Sequence, residues 1–276
     1  MKGRITILCE NSAGPLSGTL GEHGFAALVE HDSGALLFDT GQGATLIGNA
    51  RRMNKDLDRV AMVALSHGHY DHTGGLLPLL QACGSKEIYA HPDVFVPRYR
   101  VKDNGESIAI GMPYARELLA DAGAAFNLGR EFREIAPGMF LTGEVPRLAS
   151  FEQGDHGLFL DTAGTVADPI NDDQSLIIRT DNGLVLLLGC CHAGIVNTVE
   201  LAVARTGVAK IVAIIGGTHL GFCGAQQLEE TLGRLHSYRI QKFCAGHCTG
   251  FSASARLHRE FPGKFHPANV GYTLEV

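Results

Sequence analysis

The chain has 276 residues, 45% of them hydrophobic and 19% charged, enough for one large domain or two small ones with a substantial core. Asp and Glu outnumber Lys and Arg by 29 to 23, a formal net charge of −6, so nothing in the balance attracts nucleic acid. No run of about 18 apolar residues argues for a membrane span, and seven cysteines without framework spacing suit reduced thiols in a cytoplasm.

The N-terminus runs straight into a strand-like segment, Ile5-Thr6-Ile7-Leu8, without the apolar region or cleavage site of a signal peptide, so a cytoplasmic location is expected. Residues 24–30 and 35–39 read as a hairpin around Asp32-Ser33-Gly34. Asp39-Thr40-Gly41-Gln42-Gly43 closes a strand and opens a helix through Met53. The next strand, Val60 to Leu65, ends at Ser66-His67-Gly68-His69-Tyr70-Asp71-His72, and a helix from Gly75 to Ala82 follows. Lys86 to Ala90 is a short strand. From about 92 to 173 the periodicity weakens. One helix, Pro113 to Ala122, and one strand-like run, Met139 to Thr142, stand among loops rich in glycine, proline and charge. This stretch reads as an irregular substrate-side insertion within a single domain spanning 1–276.

Regularity returns with a hairpin, 175–180 and 184–188, turning at Asp181-Asn182-Gly183. A helix from Ile195 to Arg205, a strand from Ile211 to Ile215, a helix from Ala225 to His236, a strand from Lys242 to Ala245, a helix from Ala253 to Phe261 and a last strand from Gly271 to Val276 complete the chain. Each half starts with strands and then alternates strand with helix. That order predicts an α/β architecture of two sheets packed face to face with helices outside.

The residues from His67 to His72 place four potential metal ligands in six positions, on a loop that ends an apolar strand. Imidazole and carboxylate so held suit a borderline-to-hard divalent cation better than they suit a solvated surface loop. Two further histidines, His192 and His247, also follow apolar strands beside glycine, where α/β proteins place their chemistry. Cys190, Cys191 and Cys248 flank them. Because neighbours on a strand end point to opposite sides, these thiols read as buried packing groups.

Asp39-Thr40-Gly41, His67-x-His69-x-Asp71-His72, His192 and His247 together resemble the metallo-β-lactamase superfamily over nearly the whole chain. The resemblance implies a four-layer αβ/βα metallo-β-lactamase-like sandwich with metal at the sheet edge. It implies that His67, His69 and His192 hold one ion, that Asp71, His72 and His247 hold a second, and that Asp39 supports the loop behind them. One or two divalent ions are expected, zinc foremost, with iron and manganese compatible. The segments 141–147, 172–176, 189–198 and 215–220 further resemble a subgroup whose members are described as dihydropterin–ribofuranosylaminobenzene phosphate synthases.

One departure matters. The superfamily supplies a metal-bridging aspartate in the second half, yet no Asp or Glu occurs between Glu200 and Glu229, and Gly216-Gly217-Thr218-His219 fills the place. Either His219 takes over as ligand, the second metal is weak, or one metal suffices; His219 is equally a candidate for facing the substrate.

In the superfamily's usual chemistry a metal lowers the pKa of bound water to about 7, so metal-bound hydroxide attacks a small anionic phosphate or carboxylate ester. Asp71 would ligate or orient the nucleophile. The alternative is a transferase that joins a dihydropterin diphosphate to an aminobenzene ribofuranosyl phosphate with loss of pyrophosphate. A redox role is disfavoured, because His69 stands where oxygen-reducing di-iron relatives carry Glu. Arg98, Arg100, Lys102 and Arg147 are candidate cationic partners for an anionic substrate, with Arg147 best placed. A solvated charged face is the plainer account of the first three. Glu10, Asn11 and His23 are candidates to line the pocket.

Overall fold

A computed structural model describes residues 3–32, 34–152 and 154–276. Ser33, central to the expected first hairpin turn, lies outside the described residues. In chain order the elements are β1 (Gly3–Cys9), β2 (Ala26–His31), β3 (Gly34–Phe38), α1 (Leu46–Arg52), β4 (Val60–Ala64), α2 (Tyr70–Thr73), α3 (Leu76–Cys83) and β5 (Lys86–Ala90). The middle of the chain gives β6 (Tyr99–Val101), β7 (Ser107–Ala109), α4 (Arg116–Asp121), β8 (Ala124–Leu128), β9 (Arg133–Ala136), β10 (Met139–Leu141) and β11 (Leu158–Phe159). The second half gives β12 (Leu176–Thr180), β13 (Gly183–Leu188), α5 (Ile195–Thr206), β14 (Ile211–Gly217), α6 (Ala225–Leu235), β15 (Ile240–Gly246), α7 (Gly250–Glu260), β16 (Phe265–Pro267) and β17 (Thr273–Glu275).

Two seven-stranded sheets form, in the orders β17-β1-β2-β3-β4-β5-β8 and β16-β15-β14-β13-β12-β10-β9. Side-chain alternation explains their placement. In β2, Ala27 and Val29 enter the core between the sheets, while Ala26 and Leu28 face the core that Leu46 of α1 and Leu79 of α3 share. In β13, Val185 and Leu187 face the other sheet, while Leu184, Leu186 and Leu188 pack with α5, α6 and α7. Both faces of the central strands are covered, which is why they read as continuous apolar runs. The result is four layers, helix–sheet–sheet–helix, as expected.

The stretch from 92 to 173 is more regular than its sequence suggested. Here β8 extends the first sheet by pairing parallel to β5, and β9 and β10 extend the second through β12. Only β6, β7 and β11 form a separate small sheet. Strands of two to five residues carry too little periodicity to stand out, and they gain their partners through distant pairing.

Asp39, His67, His192 and His247 all follow the C-terminal ends of strands, β3, β4, β13 and β15. Within each sheet these strands are parallel to one another or to their neighbours. One edge of the sandwich therefore collects them.

Candidate metal centre

His67 Nε2 lies 2.9 Å from His69 Nδ1 and 3.3 Å from His192 Nε2. A tetrahedral ion with bonds of 2.0–2.1 Å to nitrogen would separate two such donors by about 3.3 Å. His72 Nε2 and His247 Nε2 stand 3.2 Å apart, with Asp71 Oδ2 at 3.7 and 3.4 Å from them. All six side chains expected from the sequence thus converge, and all are buried.

The far nitrogen of four rings is tied to oxygen. His67 Nδ1 meets Ser66 Oγ at 2.9 Å, and that hydroxyl donates to Asp39 Oδ2 at 2.7 Å. His72 Nδ1 lies 2.7 Å from the same Asp39 oxygen, His192 Nδ1 2.6 Å from Asp155 Oδ2, and His247 Nδ1 2.9 Å from Asn11 Oδ1. An imidazole that donates its Nδ1 proton presents a bare lone pair at Nε2. Neutral, lone-pair-bearing nitrogens a few ångströms apart are the donor set a divalent cation takes, so the residues fit a metal.

Electrostatics agree for most of the cluster. Burial, followed by mutual repulsion among imidazoles, holds His67 and His69 well below the usual histidine range, and burial brings His247 down to about 4. Burial alone would raise Asp71, but His72, the His23 hydrogen bond and His247 bring its carboxyl well below the ordinary carboxylate range. His72 is the exception. Burial opposes its charge, yet Asp71 and Asp39 outweigh that and raise it to about 9, so a bound cation would displace this proton.

Local backbone serves this placement. Asp39, Cys191, His219 and His247 all adopt positive φ, between 53° and 65°, a conformation costly outside glycine that surrounding structure must enforce. Glu10, buried after β1, accepts the His247 backbone N–H at 2.5 Å and so helps to hold that turn. At Gly189 a Cβ would collide with Ser66 Oγ, so glycine is what lets β13 approach the Asp39–Ser66 pair.

Several expectations need correction. Arg147 does not reach the cavity beside the histidines; its guanidinium donates to the carbonyls of His192 and Pro169, both at 2.8 Å, and braces the His192 loop. Arg98 is neither a substrate group nor a solvated one. It is 2% exposed and bound to Asp168 and Asp172, while Asp172 also accepts the Gly68 N–H inside the His67–His72 loop. Lys102 pairs with Glu106 on the surface. Cys190 is not a packing group: its Sγ lies 3.2 Å from both His72 Nε2 and His247 Nε2. Alternation contained that answer, since residues 190 and 192 share a side, whereas Cys191 packs in the helix-covered core.

His219 borders the cluster, its ring 4.2 Å from His192 and 4.8 Å from Phe222. Its Nε2 is 2.5 Å from Asp155 Oδ1, so this carboxylate joins His192 to His219. The two imidazoles outweigh burial and hold Asp155 well below the usual range, while the same pairing raises His219 to about 10. Asp155 went unrecognised in the sequence, where it stands in a short polar loop with no spacing signal.

A cavity of about 390 Å³ opens over the cluster. His69, Asp71, Asp155, His192, His219 and His247 supply much of its polar lining, Tyr70, Ile108, Ile110, Leu158 and Phe222 its apolar part, and His23, Arg100 and Cys190 also line it.

Residues 20–166 match the model of the metallo-beta-lactamase superfamily. The chain is 31% identical to the 7,8-dihydropterin-6-methyl-4-(beta-D-ribofuranosyl)-aminobenzene-5'-phosphate synthase of Methanocaldococcus jannaschii, covering 99% of this chain and 96% of that protein. It is also similar to a crystal structure of a metal-dependent hydrolase of the beta-lactamase superfamily, with 31% identity, TM-score 0.84 and 99% of both chains covered. Zinc-bound PqqB from Methylobacterium extorquens shares the fold at 14% identity, TM-score 0.57, over 99% of this chain and 100% of that one.

Proposed function

This chain belongs to the metallo-beta-lactamase superfamily and is an enzyme of that fold, and from this premise we propose that it is a metal-dependent hydrolase of a small anionic phosphate or carboxylate ester. The observation that carries the reading is the convergence of His67, His69 and His192 beside Asp71, His72 and His247, four of which (His69, Asp71, His192 and His247) line one cavity. When bound, a divalent ion, zinc foremost, supplies Lewis acidity and makes water a nucleophile near neutral pH. Asp71 Oδ2, ionised and 3.2 Å from His23 Nε2, is placed to ligate the ion or orient the attacking water. Arg100 offers a cation to the substrate's anionic group, and Ile108, Ile110, Leu158 and Phe222 shield the reacting bond from bulk water. The substrate is small; neither nucleic acid nor membrane is expected as a partner. No helix among the described residues is long and apolar enough to cross a membrane.

A second reading is the transferase joining a dihydropterin diphosphate to an aminobenzene ribofuranosyl phosphate. It is favoured by the full-length similarity to the synthase and by the exposed Phe222 ring, which stacks on His219 and offers a flat face to a planar ring. Phosphorus NMR of the zinc-, iron- or manganese-loaded protein with candidate diphosphates separates the two. Release of phosphate or pyrophosphate with water alone supports the hydrolase; release only with a second organic substrate supports the transferase. Full activity after exhaustive chelation refutes both.

A further inference from the structure

We propose that the Cys190 thiolate is a metal ligand, completing with His72, His247 and Asp71 a second cation subsite that selects a thiophilic ion such as zinc. This rests on reading the histidine cluster as a metal centre, and it names as a donor a thiol that by sequence alone reads as a packing group.

Three atoms define the subsite. Cys190 Sγ, His72 Nε2 and His247 Nε2 form a triangle with all sides 3.2 Å. For a tetrahedral ion with metal–nitrogen bonds near 2.0–2.1 Å and a metal–sulfur bond near 2.3 Å, those separations would be about 3.3 Å and about 3.6 Å. Asp71 Oδ2 lies on a further side, 3.4 and 3.7 Å from the same nitrogens. Both rings give their Nδ1 to an oxygen, His72 to Asp39 and His247 to Asn11, so their Nε2 atoms are the ones turned to the thiol and available to a cation. A cation among the three satisfies every donor at once.

Cys248 and His219 also stand near Cys190; Cys248 Sγ and His219 Nε2 have partners of their own, whereas His219 Nδ1 is buried without a hydrogen-bond partner. Cys248 Sγ accepts the His219 backbone N–H at 3.3 Å and donates to the Cys190 carbonyl at 3.4 Å. His219 Nε2 is held by Asp155. Cys190 Sγ has the two imidazoles, and at 4% exposure Cys190 has little access to water.

The charge count is consistent. On ligation the Sγ–H bond and the His72 Nε2–H bond break, both protons leave to solvent, and sulfur and nitrogen each bond the metal without any oxidant. Two anions, Asp71 and Cys190, with two neutral imidazoles then balance a dication, although no acidic residue lies between Glu200 and Glu229. A thiolate favours zinc or cobalt over manganese or magnesium.

Cobalt(II) reports the bond directly, because thiolate ligation gives an intense near-ultraviolet charge-transfer band that nitrogen and oxygen ligands do not. The whole chain, stripped of metal and titrated with cobalt(II), should develop that band with the second equivalent. Cys190→Ser should lose the band and bind the second equivalent more than about 100-fold more weakly, beyond the cost of losing an outer partner. Its first equivalent, on His67, His69 and His192, should remain, and Cys248→Ser should keep the band. Visible cobalt bands without the near-ultraviolet one in the unaltered protein would overturn the proposal and leave the metal centre standing; that spectrum decides even if Cys190→Ser fails to fold. A band that survives in Cys190→Ser also overturns it. No bound cobalt at all removes the metal centre and the proposal together.

Discussion

Asp39 Oδ2 and His72 Nδ1 lie 2.7 Å apart with both side chains wholly buried, and the same carboxylate accepts the Ser66 N–H and hydroxyl. One residue thereby sets the tautomer of His72 directly and that of His67 through Ser66. Asp39→Asn keeps the volume but turns one acceptor into a donor. Zinc affinity should fall by about 10–100-fold with the fold retained, as competition with a chromophoric chelator would measure. Unchanged affinity would mean that the rings are oriented by packing alone.

Arg98 is held by two carboxylates in the interior, one of which also accepts the Gly68 N–H. Removing the guanidinium strands both charges. Arg98→Ala should destabilise the protein by about 3–5 kcal/mol in urea unfolding. Substrate KM measured on molecules that remain folded should change little.

Arg147 braces two backbone carbonyls at the His192 loop. Because the side chain is largely at the surface, Arg147→Ala should cost only about 1–2 kcal/mol of stability. With a chromogenic phosphodiester, KM should stay within about twofold. A tenfold rise in KM at unchanged Tm would restore the substrate-binding role expected from the sequence.

Glu152 accepts the Val196 and Asn197 N–H groups at the start of α5, and burial raises its carboxyl to about 7 against those bonds. The folded state therefore binds more protons than the unfolded chain between about pH 4.5 and 7. Stability from this group is greatest below that window and is lost as pH rises through it, by up to about 3 kcal/mol. Glu152→Gln should flatten the fall of Tm between pH 5 and 7 relative to the unaltered protein. Parallel profiles would assign the pH dependence elsewhere.

Much of the site was legible because its donors are crowded in sequence. Six positions from His67 to His72 carry four of them, and His192 and His247 each follow an apolar strand beside glycine. The layers were legible for a similar reason: β2 and β13 are apolar on both faces, which only a strand covered on both sides requires. Asp155 gave no such signal. It reaches His192 and His219 from 37 and 64 residues away, through a loop whose composition resembles any other.

The chain by itself determined which runs form strands, where their ends lie and which histidines follow those ends, since those follow from periodicity and local spacing; that the histidines gather was what the family resemblance implied. Only the tertiary structure decided that Cys190 faces the histidines, that Arg98 and Arg147 brace loops, and that 92–173 contributes strands to both sheets. Those outcomes depend on which way a side chain points and what lies opposite it. Neither is a property of neighbouring residues; both are set when segments far apart in sequence pack together.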